Sequence, residues 1–388
     1  MTFFKRFTTP ISMGALAVLL AACGSGSAGS GPEGDEYVVG ISTSITGPAA
    51  SIGAQEAKGA EYLFDKINEN GGINGRKVRV EVKDNQTDPQ EAVLQVKEFT
   101  TQDVDVVMVG SVSTVMTAIE PLVQNTLTVN FGGAYKPPAD SRTIFSPSPD
   151  DATPLAMTMK WLKDEGITRF AAIASTDTTG QYTAEELDKV LAEPFAEGLT
   201  LTRLERFDPK AADVTAQLSR LAQDEPEAVL ATATGAPAAV VAKNYSQLGL
   251  SAPLILSWGA GSFSFAKSTE SFAPENLYVP VARSLVGEGT ENNGDLDYKF
   301  ADEYQQEVGE KTDIGALLAY DPVLVVQEAL SSGDTLDERI EAIESISDMD
   351  GTFATYTFSK EDHKGGLSPD NKFLVMARID NGDLIRAE

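Results

Sequence analysis

The sequence predicts an α/β protein of two doubly wound parallel-sheet lobes joined by a multi-strand hinge. Three observations carry that expectation. Short β-branched runs alternate with amphipathic helical stretches from residue 37 onward, and the alternation starts afresh at residue 169. The last hundred residues then break the rhythm with three helices followed by two strands.

In the first series, residues 37–42 read as a strand and 54–70 as a helix with Ala57, Ala60, Phe64 and Ile67 on one side. Residues 77–83 alternate as a strand, and 89–100 form a helix that opens on Pro89, as helices prefer. Residues 104–109 are almost continuously apolar, as in a strand covered on both faces of a parallel sheet. A helix over 114–125 and a strand over 128–131 complete the series. The second runs strand 169–174, helix 182–192, strand 199–207, helix 214–223, strand 228–232, helix 236–248 and strand 254–257. Helices over 296–308, 317–331 and 334–345 come next, then strands over 352–358 and 372–379. Late helices that belong with one lobe and late strands that belong with the other make the chain cross between lobes more than once. Lobe 1 is expected over 37–153 and 284–350, and lobe 2 over 154–283 and 351–388. Several crossings make a hinge, and closure about a hinge is a standard way to enclose a ligand.

Ahead of the first strand, Lys5 and Arg6 precede an uncharged run of residues 11–22 that ends in Leu20-Ala21-Ala22. A charged start, a short apolar region and small residues before a cut make residues 1–22 a secretory signal. The apolar run is too short to span a hydrocarbon core of roughly 30 Å. Cys23, the only cysteine, comes directly after it and resembles the acylated cysteine of a bacterial lipobox. Residues 23–36 then read as a Gly/Ser tether. This places the protein outside the cytoplasm, anchored to the cell membrane by lipid.

The net charge of −28 argues against nucleic acid, whose binding depends on Lys and Arg neutralising phosphates. One histidine, His363, lies in a polar stretch and reads as a surface residue. There is no HExxH, Cys/His cluster, P-loop or GxSxG elbow, so the usual zinc, nucleotide and triad sites are absent from the sequence. No cofactor or metal is expected. The acidic stretches 288–297 and 348–351 lack calcium-loop spacing and read as solvated loops.

The richest stretch runs Ile67-Asn68-Glu69-Asn70-Gly71-Gly72-Ile73-Asn74-Gly75-Arg76-Lys77, then Asp84-Asn85-Gln86-Thr87-Asp88-Pro89 and Ala92. It closely resembles the type I periplasmic-binding family of branched-chain amino acid ABC transporters. Thr46-Gly47-Pro48 with Gly53, the turn from Gly110 to Thr114, and Tyr320-Asp321-Pro322-Val323 fit as well. The resemblance spans about residues 37–380 and implies a non-enzymatic, monomeric receptor that closes on a small solute and delivers it to a membrane permease. The same scaffold serving as a sensor for a signalling receptor is the alternative, and an enzyme is a more distant one.

The resemblance also implies site residues. Ser113 and Thr114 open a helix after a strand, where hydroxyls and free N–H groups would cradle a carboxylate; simple helix capping is the plainer role. Gly133, Ala134 and Tyr135 occupy a second contact segment, with Tyr135 replacing a small hydroxyl residue and adding a ring. Ile52 stands where a tyrosine often forms a wall. From the second lobe come Thr178 and Thr179, Thr234 and Gly235, and Trp258 and Gly259. Trp258 has the further reading of a hinge support. Amino-acid-binding members carry an acidic residue near Trp258 for the ligand's ammonium group, and Ser257-Trp258-Gly259-Ala260 offers none. A buried zwitterion would then keep an unpaired charge, at several kcal/mol. The expected solute is therefore a small carboxylate with an apolar or aromatic body, or an amino-acid-like compound.

Overall fold

The computed structural model describes residues 36–133, 135–149, 152–287, 295–366 and 372–387. The signal segment, Cys23 and the tether up to residue 35 lie outside these. Two α/β sheets organise the rest, each with helices on both faces.

The first sheet contains β1 (Tyr37–Thr43), β2 (Val78–Asp84), β3 (Val106–Val109), β4 (Thr128–Asn130) and β5 (Ile144–Phe145). They are all parallel, in the order β2-β1-β3-β4-β5. The period-two geometry of β3 sends Val106 and Met108 to one face and Val107 and Val109 to the other. Val106 and Met108 join Ala60 and Phe64 of α1 (Ala50–Glu69). Val107 and Val109 meet Val96 and Phe99 of α2 (Pro89–Thr101) and Val115 and Met116 of α3 (Ser113–Ile119). Both faces are dry, as the unbroken apolar run required. The turn after α1 is built on glycine: Gly72 has φ +76°, and a Cβ there would lie 2.0 Å from the Arg76 carbonyl oxygen. The helix expected to reach residue 125 stops at Ile119 and continues as a 3₁₀ turn, Glu120–Leu122. Pro121 is the cause, since it has no N–H and disfavours helix before it.

The chain then pairs a short strand, β6 (Ser148–Pro149), and enters the second half through α4 (Ala152–Asp164). The second sheet is built from β7 (Arg169–Ser175), β8 (Thr200–Phe207), β9 (Ala228–Thr232), β10 (Leu254–Leu256) and β11 (Leu277–Ala282). Their helices are α5 (Thr178–Leu191), α6 (Thr215–Ala222), α7 (Gly235–Gln247) and α8 (Phe263–Thr269). These strands are parallel, in the order β11-β10-β9-β7-β8. Neither α4 nor β11 was among the elements expected from the sequence. Pro280 inside β11 hides it, because proline rarely occupies an inner strand.

After α9 (Arg283–Val286) and α10 (Leu296–Val308) comes α11 (Ile314–Ser332), which bridges the halves. Its first turns put Ile314, Leu317 and Leu318 into the second sheet's core. Its later turns put Val323, Val326 and Leu330 into the first. By length and composition α11 could cross a membrane, but 72% of it is buried within the chain, which accounts for its apolarity. Next come α12 (Leu336–Glu344), β12 (Met349–Asp350), β13 (Thr355–Tyr356) and β14 (Gly365–Gly366), the last beside β6. Ala354, Tyr356 and Phe358 pack in the first core. The chain therefore rejoins the second sheet only after Gly366, later than the boundary expected at 350. It does so as two antiparallel strands, β15 (Leu374–Asp380) beside β11 and β16 (Asp383–Arg386) at the sheet's edge.

His363 corrects an expectation. It is buried, stacked on the Phe145 ring at 4.0 Å, with Nδ1 3.1 Å from the Ile144 carbonyl and Nε2 3.3 Å from Glu344. It is a core histidine that ties the crossing segment to β5.

Candidate functional site

A cleft of about 580 Å³ opens between the two sheets, lined by the loops that leave the carboxyl ends of their strands. Open parallel sheets place their binding crevices at those ends.

On the first sheet's side, Pro48, Ala49 and Ile52 come after β1, Thr87 and Asp88 after β2, Ser111 and Thr114 after β3, and Gly133 after β4. Two buried polar side chains set these loops. The Glu56 carboxylate accepts hydrogen bonds from the Ser111 amide (3.2 Å) and the Thr43 hydroxyl (2.7 Å). Burial pushes its carboxyl above the usual range, while those hydrogen bonds pull it down. Asn130 donates through Nδ2 to the Val109 and Gly110 carbonyls and accepts from the Gly132 amide at 2.9 Å. It thereby locks the ends of β3 and β4 together. Neither residue carried a sequence signal, because each acts through burial.

Thr114 lines the cleft, whereas Ser113 is fully buried beneath it, its hydroxyl without a hydrogen-bond partner among the described residues. The N-cap of α3 is Val112, with no side-chain cap, so the capping role considered for Ser113 and Thr114 does not hold. Tyr135 departs from expectation. Its ring is buried with Val115, Ile119 and Val123, and its hydroxyl donates to Glu120 at 2.9 Å. It does not line the cleft. Ala134 lies outside the described residues.

On the second sheet's side, Asp177 and Thr179 come after β7, with Thr183 one turn further along α5; Lys210 comes after β8, Thr234 and Gly235 after β9, and Ser257, Trp258 and Gly259 after β10. Thr178 opens α5, but its side chain is not among those described. Trp258 is nearly buried, in a short 3₁₀ turn, edge-on to Phe353 at 5.9 Å. Leu318 of α11 closes the floor. The two carboxylates in the lining already have partners. Asp177 accepts from the Gly180 amide at 3.0 Å and the Ser175 hydroxyl at 2.7 Å, and Asp88 accepts from the Gln90 amide at 2.8 Å. Both serve as helix N-caps.

The halves touch at the rim. The Ala236 amide donates to the Pro48 carbonyl at 3.3 Å, and Gly235 beside it has φ +58°. A Cβ on Gly235 would lie 2.5 Å from that carbonyl oxygen, so only glycine allows this approach. The Ser264 hydroxyl bonds to the Ser51 carbonyl at 3.0 Å and to Asp313 at 2.5 Å.

Known proteins share this arrangement. The sequence profile described as periplasmic binding protein matches residues 36–382. The Leu/Ile/Val-binding protein homolog 1 of Brucella abortus (strain 2308) is 36% identical over 94 residues, 24% of each chain. The match thus spans about a quarter of that relative's length. Among solved structures, the Streptococcus pneumoniae branched-chain amino acid transporter substrate-binding protein LivJ, in complex with isoleucine, superposes with a TM-score of 0.78 at 19% identity. That alignment covers 90% of this chain and 98% of LivJ. An ABC transporter solute-binding protein from R. palustris, in complex with benzoate, gives 0.71 at 16% identity over 91% and 95% of the two chains. With a profile matched from the first strand through β15, the chain belongs to the periplasmic binding protein family, a family of ligand receptors rather than enzymes.

Proposed function

We propose that the protein is a lipid-anchored, extracytoplasmic solute receptor of an ABC importer that captures a small carboxylate with an apolar or aromatic body. The observation that carries this reading is the composition of the cleft. Thr114, Thr179, Thr234 and Trp258 line a space whose only lining carboxylates, among the described residues, are engaged as helix caps. An ammonium group would find no free acid there, whereas a carboxylate would meet the hydroxyl-bearing residues Thr114, Thr179 and Thr234. The neighbour that holds benzoate makes an aromatic acid a reasonable first probe. Lobe 1 and lobe 2 would close on the solute, and the closed form would be the one a permease engages. In this reading the receptor works as a monomer and needs no cofactor.

The test is a thermal-shift series on the full-length protein. Aliphatic and aromatic monocarboxylates should raise the melting temperature more than leucine does, since a ligand stabilises by mass action. Thr114→Ala should weaken carboxylate binding about three- to tenfold, the worth of one hydrogen bond, and leave the empty protein's melting temperature nearly unchanged. A strong shift with leucine and none with the acids would reverse the ligand assignment. Cys23→Ser should move the protein from the membrane fraction to the soluble one, and unchanged partitioning would remove the lipid anchor.

A further inference from the structure

Lys364 is a buried lysine whose ammonium group meets no acidic side chain among the described residues. It is 6% exposed, and no salt bridge joins it to any described residue, although the chain holds 58 acidic residues against 30 basic ones. Its Nζ donates instead to two neutral backbone acceptors, the Gly133 carbonyl at 3.3 Å and the Tyr135 carbonyl at 3.4 Å. A buried ammonium satisfied only by carbonyl dipoles retains most of its charge, and a low-dielectric surround carries that charge further than water would. Gly133 is itself part of the cleft wall, so the ammonium stands one residue behind the space a solute would fill. Lys364 also sits at the seam between the halves. It precedes Gly365–Gly366, which pair with Ser148–Pro149, and its Nζ lies 5.8 Å from the ring centroid of Tyr182 on α5.

We propose that Lys364 sets the charge preference of the cleft, favouring an anionic solute over a neutral or zwitterionic one of the same shape. This deepens the carboxylate reading above and rests on it. Lys364 does not line the cleft, so it is a specificity-setting and positioning residue: its charge acts through the Gly133 wall, and its two hydrogen bonds hold the carbonyls of Gly133 and Tyr135. The ring of Tyr182 ties it to α5, so that charge preference and closure share one residue.

Calorimetric titration of the full-length protein with benzoate and with its neutral isostere benzamide tests this. The wild type should bind benzoate on the order of tenfold more tightly than benzamide, as expected for one partly screened charge at short range. Lys364→Met should bring the two affinities to within about twofold by weakening benzoate alone. Lys364→Arg should keep the preference. A role confined to holding those two carbonyls would instead weaken both ligands equally in Lys364→Met, which would overturn the proposal. So would a Lys364→Met protein that keeps the full preference, an outcome that leaves the carboxylate receptor standing. A wild type that binds the two ligands equally overturns it without any variant, even if Lys364→Met fails to fold. Binding of leucine with neither benzoate nor benzamide would overturn the carboxylate reading, and the lysine assignment with it.

Discussion

Asp321 shows how much one side chain can hold in this fold. It is fully buried in the middle of α11 and accepts hydrogen bonds from the Thr352 amide at 2.7 Å and the Tyr356 hydroxyl at 2.7 Å. It thus fastens the bridging helix to the segment that recrosses. Burial raises its carboxyl from the ordinary range to about 6, against the pull of those hydrogen bonds. Because the folded value lies above the unfolded one, the folded state binds the extra proton, and that contribution to stability is lost as pH rises through about 6. Burial raises Glu56 and Asp313 in the same direction. The melting temperature should therefore rise as the pH falls from 7 to 5, with Asp321→Asn showing a shallower slope than the wild type. An identical slope in Asp321→Asn would remove Asp321 from the account. At this scale the sequence was only partly informative. Thr114, Thr179, Thr234, Gly235, Trp258 and Gly259 could be placed where apolar strands end and where the family resemblance puts contacts, Gly133 and Ile52 from the resemblance alone, and all eight line the cleft. Tyr135 could not be placed, because a residue at a strand end can turn to the cleft or to the core, and the choice is made by packing with Val115 and Ile119. Glu56, Asn130 and Lys364 are ordinary polar letters until burial gives them roles.

Among the elements, the parallel strands were the most legible, since strands covered on both faces must be apolar throughout. The later elements were less so. α11 reads as a plain apolar helix, and only its packing shows that its two ends serve different cores. β13 is a two-residue strand inside the single strand expected over 352–358, and β12 is a two-residue strand in the stretch 348–351 expected to be a loop. Strands that short carry no readable alternation. The start of α7 offers the most direct test at this level. Gly235 takes a left-handed conformation against the Pro48 carbonyl, joining the β9 loop to the β1 loop across the rim. Gly235→Ala should cost about 1–2 kcal/mol from the left-handed backbone alone. The clash with Pro48 adds a second penalty only when the rim is closed. Solute affinity measured by calorimetry should therefore fall as well as thermal stability. Unchanged affinity would mean that the Pro48–Gly235 contact is no part of the bound form.

Taken whole, the molecule is a strongly acidic receptor, with a net charge of −28, whose cleft presents no free carboxylate among the described residues. An anionic solute would approach against the field of the whole chain, which salt screens over about 8 Å at physiological strength. Local groups then decide the outcome at close range, and in the proposed reading the cleft composition and Lys364 favour the anion. The sequence conveyed this global character through charge and alternation, but not how the late crossings divide the chain between lobes. The central claim is that a small carboxylate is captured between the lobes, against Trp258. The chain has two tryptophans, and Trp161 packs on Tyr278 away from the cleft lining. Fluorescence titration of Trp161→Phe protein with benzoate therefore reads the cleft through Trp258 alone. A saturable change in emission, absent when Trp258→Phe is measured in its place, is the expected result. No change with benzoate or any other monocarboxylate, beside a saturable change with leucine, would contradict the account.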